Sequence, residues 1–169
     1  VNLKKTGQIE GRYGSIKGKS LLEIWIKHLV IGCSEWGEES RSSVILGIGK
    51  SPKTIRYSFC PFRSDPKPIL NDLLRLYLAG LKEPIRLIPD PSYVFAKTMQ
   101  KGSGEEVKKA ALNKARKELE DTKKYLDPSI TRLFSKMDPL NDEGVDALLR
   151  FDFIAEAVFG PLLEHMEQS

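Results

Sequence analysis

Cysteine and histidine are both scarce in this chain, with two of each in 169 residues. Cys33 and Cys60 stand in no C-x-x-C or zinc-ligand spacing, which excludes a disulfide framework and a thiolate metal knuckle. They read as small buried hydrophobes in a reduced compartment, so a cytoplasmic location is expected. His28 lies within an apolar helical stretch and reads as a partly buried residue with one satisfied hydrogen bond. His165 sits near the C-terminus and reads as exposed. No Cys–His or Ser–His pairing follows from their spacing. There is no apolar run long enough to cross a bilayer and no signal peptide, so no membrane partner is expected. P-loop, G-x-G-x-x-G, G-x-S-x-G and H-E-x-x-H patterns are all missing, and no cofactor is expected. The first residue is Val1 rather than Met, which reads as a piece of something longer.

A more local absence says more. The stretch Ser42–Cys60, "SSVILGIGKSPKTIRYSFC", contains no aspartate or glutamate. Val44, Ile45, Leu46 and Ile48 form a short apolar run, as in a strand covered on both faces. Ile55, Tyr57 and Phe59 alternate with Arg56 and Ser58, the period of a half-buried strand. "KSP" turns the chain between them, so the stretch predicts a hairpin with no acid.

Charge is unevenly spread. Residues 1–63 hold 11 Lys+Arg against 5 Asp+Glu, whereas residues 64–169 hold 16 against 18, within a net charge of +4. The basic excess belongs to the N-terminal third, and reads either as the footprint of phosphate binding or as a lysine-rich solvated surface.

Helical patterns fill the rest. Ser20 and Glu23 form an S-x-x-E capping box that predicts a helix from Leu21, with Leu21, Leu22, Trp25, Ile26 and Leu29 on a wide apolar face and Gly32 as its stop. "NLKKTGQIEGRY" before it reads as a weak strand or hairpin. Asp-Pro pairs at Asp65, Asp90, Asp127 and Asp138 suit helix starts, because Asp caps free N–H groups and Pro fits the first helical position. The first opens a helix near 66–81, ended by Pro84, and the second a short helix through "SYVFAKTM". Ser103 and Glu106 head a charged helix near 105–124, exposed on most sides. A short helix follows Pro128 with Ile130, Leu133 and Phe134 inward. An apolar helix over 142–167 is kinked or broken at Gly160-Pro161.

The order strand, helix, strand pair, helix predicts an α/β chain: a restriction-endonuclease-like PD-(D/E)xK core with a small mixed sheet flanked by helices and a helical C-terminal cover. We expect one domain over 1–169, with the α/β core in 1–100 and the helical part in 101–169. In that layout hydrolysis requires an acid on the first hairpin strand and D/E-x-K on the second, so that carboxylates hold a divalent cation that activates water. "VILGIG" and "TIRYSFC" supply neither. Asp65 is explained as a cap, Asp72 lies on the polar side of its helix, and the capping box accounts for Glu23. No catalytic residue and no metal ligand is therefore assigned.

Four segments carry a family resemblance. "KGKSLLEIWIKHLVIGC" resembles the L-x-x-W-I-x-H-L segment of the C-terminal domain of the exonuclease V gamma subunit (RecC) family. "LNDLLRLYLAGLKEPIRLIPDPSYVFAK" is similar to that family's L-x-x-L-L-x-L-Y-x-x-G-L-x-x-P-L segment. "LDPSITRLF" and "FDFIAEAVFGPLLEHM" are similar to its ending. Together they span most of residues 9–166. The resemblance implies an inactive nuclease-like fold within a RecBCD-type heterotrimer, a helicase–nuclease of double-strand-break repair and recombination. It also implies contact with forked or duplex-end DNA and with the other subunits. The N-terminal strand is shorter and more polar than that pattern, and helix 105–124 is more charged.

The resemblance assigns no DNA-contact residues. Charge alone points to Arg12, Lys17 and Lys19, with Lys50, Lys53 and Arg56 on the hairpin, as backbone contacts that grip phosphates without reading sequence. Two other readings stay open: an active Mg²⁺-dependent PD-(D/E)xK nuclease with ligands from unaligned positions, and a pure protein-interaction module docking through helix 105–124.

Overall fold

The alternation of Ile55, Tyr57 and Phe59 with Arg56 and Ser58 builds the strand it predicts, β4 (Thr54–Phe59), with Tyr57 and Phe59 buried and Arg56 exposed. It pairs antiparallel with β3 (Ser42–Ile48), in the register Ser43–Phe59, Ile45–Tyr57 and Leu46–Arg56. The computed structural model describes residues 2–4, 7–34, 42–49, 53–123, 126, 128–135, 137–142 and 144–169. Among these, β1 (Asn2–Lys4) and β2 (Gly7–Gly11) form the N-terminal hairpin. A short β5 (Met166–Gln168) closes a five-stranded mixed sheet in the order β1-β2-β3-β4-β5, where β2–β3 is the parallel pair. The fold is α/β, with six α-helices among the described residues.

Chain contacts divide the molecule into two compact units. The first comprises residues 1–76 and 161–169 and contains the sheet. Its principal helix is α1 (Gly18–Cys33), packed on β3. Leu21, Ile24, Trp25, His28 and Leu29 all lie on its buried side, the i, i+3, i+4 stripe of an amphipathic helix. The helix begins three residues before the predicted Leu21. Ser20 is inside its first turn, with its hydroxyl accepting from the Arg12 guanidinium, so the expected capping box does not form. Gly32 is likewise no stop, since the helix runs on to Cys33. A Cβ there would lie 2.7 Å from Phe62 Cδ2, so the glycine serves close packing against an aromatic ring. β3 departs from the expected double cover: Ser43, Ile45 and Gly47 are buried, while Val44 and Leu46 on the other face are half-buried and Ile48 is exposed.

α2 (Lys67–Gly80) is entered from Asp65, whose Oδ1 accepts from Lys67 N at 3.0 Å. The expected cap is present, but no residue of the helix is buried. It ends at Gly80, four residues before Pro84, where the amides of Lys82 and Glu83 turn back to Ala79 O.

The second unit, residues 77–160, contains α3 (Pro89–Met99), α4 (Glu105–Thr122), α5 (Pro128–Leu133) and most of α6 (Phe151–His165). Its core joins Phe95, Ala111, Ala115, Leu140, Phe151 and Ala155, with Phe95 and Phe151 edge to face at 5.5 Å. α4 buries only Ala111, Ala115 and Thr122, in keeping with a helix exposed on most sides. Its N-cap is Gly104, without a side-chain cap, so the Ser103–Glu106 box is not made. α3 starts two residues early, with Pro89 at its head and Asp90 inside the first turn. Asp138 accepts from Leu140 N at 2.9 Å in a turn and opens no helix. Leu133 of α5 is exposed, while Ile130 and Phe134 are half-buried. The predicted 142–167 helix is shorter: a 3-10 turn at Ala147–Leu149 precedes α6, whose end gives way to β5. α6 runs without a break through Pro161. Gly160 carries no Cβ to clash with the proline ring, which relieves the usual penalty on helical geometry before proline.

Candidate nucleic-acid interface

The candidate site lies in the first unit, where β2 leaves the sheet and the chain crosses to α1. Arg12 N donates to Leu46 O at 2.8 Å, one step beyond the β2–β3 register pair Gly11–Leu46. Ile48 N donates to Gly14 O at 2.9 Å. The connection 12–14 therefore rides along the end of β3. Gly47 allows it to come this close, since a Cβ there would lie 2.5 Å from Ile16 Cγ1 and 2.9 Å from Gly14 O.

Across β3, Leu46 is in register with Arg56. Arg12 and Arg56 thus flank one residue from two sides, about two strand spacings or ~10 Å apart at the backbone. Arg56 also exchanges both backbone bonds with Ser169, each at 3.0 Å. Lys53 stands at the entry to β4, where its carbonyl accepts from Gly49 N at 3.0 Å. Arg12 turns its guanidinium to Ser20 in the first turn of α1, beside Lys17 at the N-cap and Lys19 in the same turn.

The backbones of five of the six cations singled out by charge therefore stand at one end of the sheet and the adjoining helix start, with Arg56 on the Leu46 face that α1 does not cover, and all five are exposed. Lys50 lies outside the described residues. No acid occurs between Gly11 and Lys19. Of the acids near this part of the fold, Glu10 points to the helix side and pairs with Lys27.

A residue that charge could not indicate stands in the middle. Tyr13, between Arg12 and Gly14, is 101% exposed. The only signal in the sequence is an aromatic between two glycines and next to an arginine.

Neither β3 nor β4 carries a carboxylate. The register pairs along β3 and β4 are Val44–Ser58, Ile45–Tyr57 and Leu46–Arg56. Asp65 is engaged with Lys67 N, and Asp72 pairs with Arg75 at 3.2 Å on an exposed surface. Among the described residues no three His, Cys, Asp or Glu side chains come together where a metal could be held.

Behind this surface, α1 is pinned to the sheet by His28. The ring is fully buried, with Nδ1 3.0 Å from Ser43 Oγ and Nε2 3.1 Å from Cys60 O. A carbonyl only accepts, so Nε2 carries the proton and the Ser43 hydroxyl donates to Nδ1. Trp25, Phe59 and Phe62 surround it, with the His28 and Phe62 ring centres 4.6 Å apart, and His165, half-buried rather than exposed, packs on Trp25 and Phe62. Burial pushes its pKa down to about 4, the Cys60 hydrogen bond opposes that shift, and the neighbouring His165 adds to it. His28 is thus a neutral structural clamp, with two hydrogen bonds rather than the expected one.

The family described as the RecC C-terminal domain matches residues 1–100. No curated protein matches the chain. Among the described residues no helix is long and apolar enough to cross a membrane.

Proposed function

The chain belongs to the RecC C-terminal domain family, and from that premise we propose that it is a non-catalytic, DNA-contacting part of the gamma subunit of a RecBCD-type exonuclease V. In this reading it serves a helicase–nuclease of double-strand-break repair and recombination. It holds forked or duplex-end DNA by the backbone and works beside the other subunits, to which ATP hydrolysis and strand cutting belong.

The observation that supports the reading most is the gathering of Arg12, Lys17, Lys19, Lys53 and Arg56 around the β3–β4 end of the sheet. Lysine and arginine there act on phosphates by charge and release condensed counterions, so affinity falls steeply with salt. Lys50, between β3 and β4 in the sequence, is proposed to add to the same surface.

The test is a titration of the 169-residue chain against labelled forked DNA at several salt concentrations. We expect a complex whose log Kd rises linearly with log salt. A complex insensitive to salt, or none at low salt, would contradict the reading.

A further inference from the structure

We propose that Tyr13 is a stacking platform for an unpaired base of single-stranded DNA, with Arg12, Lys17 and Lys19 gripping the phosphates beside it. The inference rests on the DNA-contacting reading above and names the strand state that this part of the surface takes.

An exposed tyrosine alone carries little meaning. Tyr13 differs in how it is mounted. The residue before it is bonded to Leu46 O and the residue after it to Ile48 N, so the backbone on both sides is fixed to β3. Ile16 fills the space over Gly47 and anchors the far end of the connection. Gly14 takes φ +134°, which an L side chain rarely adopts, and so lets the chain reverse after Tyr13. A loosely held tyrosine would fold its ring onto neighbouring apolar surface. Here the anchored turn holds the ring entirely in solvent.

The chemistry around it selects the ligand. The residue beside Tyr13 is Arg12, whose guanidinium is turned to Ser20 on α1, next to Lys19. A guanidinium has five N–H donors, and the serine hydroxyl engages one nitrogen, leaving others for phosphate oxygens. An aromatic face flanked by cations on an acid-free segment matches the way single strands are held, by base stacking together with backbone charge contacts. Within a duplex both faces of every internal base are covered by stacking. Away from a duplex end, a ring projecting from a turn can meet a base face only where the strands have parted.

The experiment compares wild type with Tyr13→Ala and Tyr13→Trp on three probes: an oligothymidylate, the same length of abasic deoxyribose-phosphate strand, and a relaxed circular duplex without ends. Because the ring makes no packing contact, both variants should keep the wild-type circular dichroism and melting curve. Stacking of one base is worth roughly 1–3 kcal/mol, or about 5- to 150-fold in affinity. We expect Tyr13→Ala to weaken oligothymidylate binding by about that factor, and Tyr13→Trp to retain it. Both variants should leave the abasic strand and the duplex unchanged. Equal loss on all three probes, or no loss on any while binding persists, would overturn the stacking role. Absence of binding by wild type to every probe would instead overturn the DNA-contacting reading on which it rests.

Discussion

His28 Nδ1 lies 3.0 Å from the Ser43 hydroxyl, a buried bond that ties the middle of α1 to the start of β3. It fixes the helix whose N-cap is Lys17 and whose first turn carries Lys19 to the strand whose end carries the Arg12–Gly14 connection. Folding favours the neutral ring, because its pKa falls from 6.5 to about 4. Between those values the unfolded chain binds the proton and the folded chain does not. Stability is therefore complete above pH 6.5 and declines as pH falls toward 4, by about 3 kcal/mol over the full range. Denaturant unfolding across this window should show a steeper loss for wild type than for His28→Gln, in which the titration is removed. Parallel pH slopes would contradict the assignment.

Removing the other partner of that bond is a separate test. Ser43→Ala leaves Nδ1 buried without a donor, which costs about 1–3 kcal/mol. The midpoint of denaturation at neutral pH reports it, and an unchanged midpoint would show that the bond is not made.

Two glycines make opposite demands on packing. Gly32→Ala adds helix propensity worth roughly 1 kcal/mol but drives a methyl group to 2.7 Å from the Phe62 ring. Gly47→Ala gains roughly 0.5–1 kcal/mol of strand propensity at most but places its methyl group against the Ile16 side chain and the Gly14 backbone carbonyl, which cannot swing aside as a side chain can. Overpacking typically costs about 1–3 kcal/mol, so both variants should be destabilised and Gly47→Ala the more. Gly47→Ala should also speed tryptic cleavage at Arg12 by lifting the connection from β3. Equal stability of the two variants, with no change in cleavage, would contradict this packing.

In the second unit the start of α6 is capped from a distance. Asp142 Oδ1 accepts from Phe151 N at 2.6 Å and Oδ2 from Asp152 N at 3.4 Å. Asp142→Ala should cost about 1–2 kcal/mol, the range for loss of a helix cap, and Asp142→Asn less. Burial works to raise the Asp152 pKa, but hydrogen bonds from Lys108, Arg150 and the Phe153 amide outweigh it and hold the carboxyl below its ordinary value. Asp152 therefore adds stability at neutral pH that is lost as pH falls through the carboxylate range. Thermal melts of Lys108→Ala should show a smaller acid dependence than wild type.

On the surface proposed to contact DNA, the variants Arg12→Ala, Lys53→Ala and Arg56→Ala should each reduce the slope of log affinity against log salt. The reduction is about 0.9 for every duplex phosphate that is no longer neutralised and about 0.7 for every single-strand phosphate. Arg75→Ala, which removes a cation already paired with Asp72 on the exposed side of α2, serves as the control and should leave the slope unchanged.

What the sequence made legible was periodic. The two-residue alternation of β4 and the wide stripe of α1 predict both elements, although the buried side of α1 is narrower than the stripe, with Leu22 half-buried and Ile26 exposed. Boundaries set by distant partners were not legible. Ser20 looks like a cap, but its hydroxyl is engaged by Arg12, eight residues earlier, and the helix begins before it. β5 is too short to show a period and exists through its pairing with β4. α6 continues through Pro161 where proline alone predicts a break. The site divides in the same way. Residue type singled out the cations, but only the register of β2, β3 and β4 brings Arg12, Lys53 and Arg56 to one end of the sheet. Tyr13 carries no charge and no period, and only its exposure on a fixed backbone marks it.

The central claim is that this surface holds DNA at a hairpin that offers no carboxylates for hydrolysis. Its most direct test is incubation of the chain with end-labelled forked DNA in Mg²⁺, in Mn²⁺ and in EDTA, with complexes and strand lengths read from the same reactions. The account predicts a salt-sensitive complex in all three, with every strand at full length. Shortened strands in Mg²⁺ or Mn²⁺ that are absent in EDTA would contradict it.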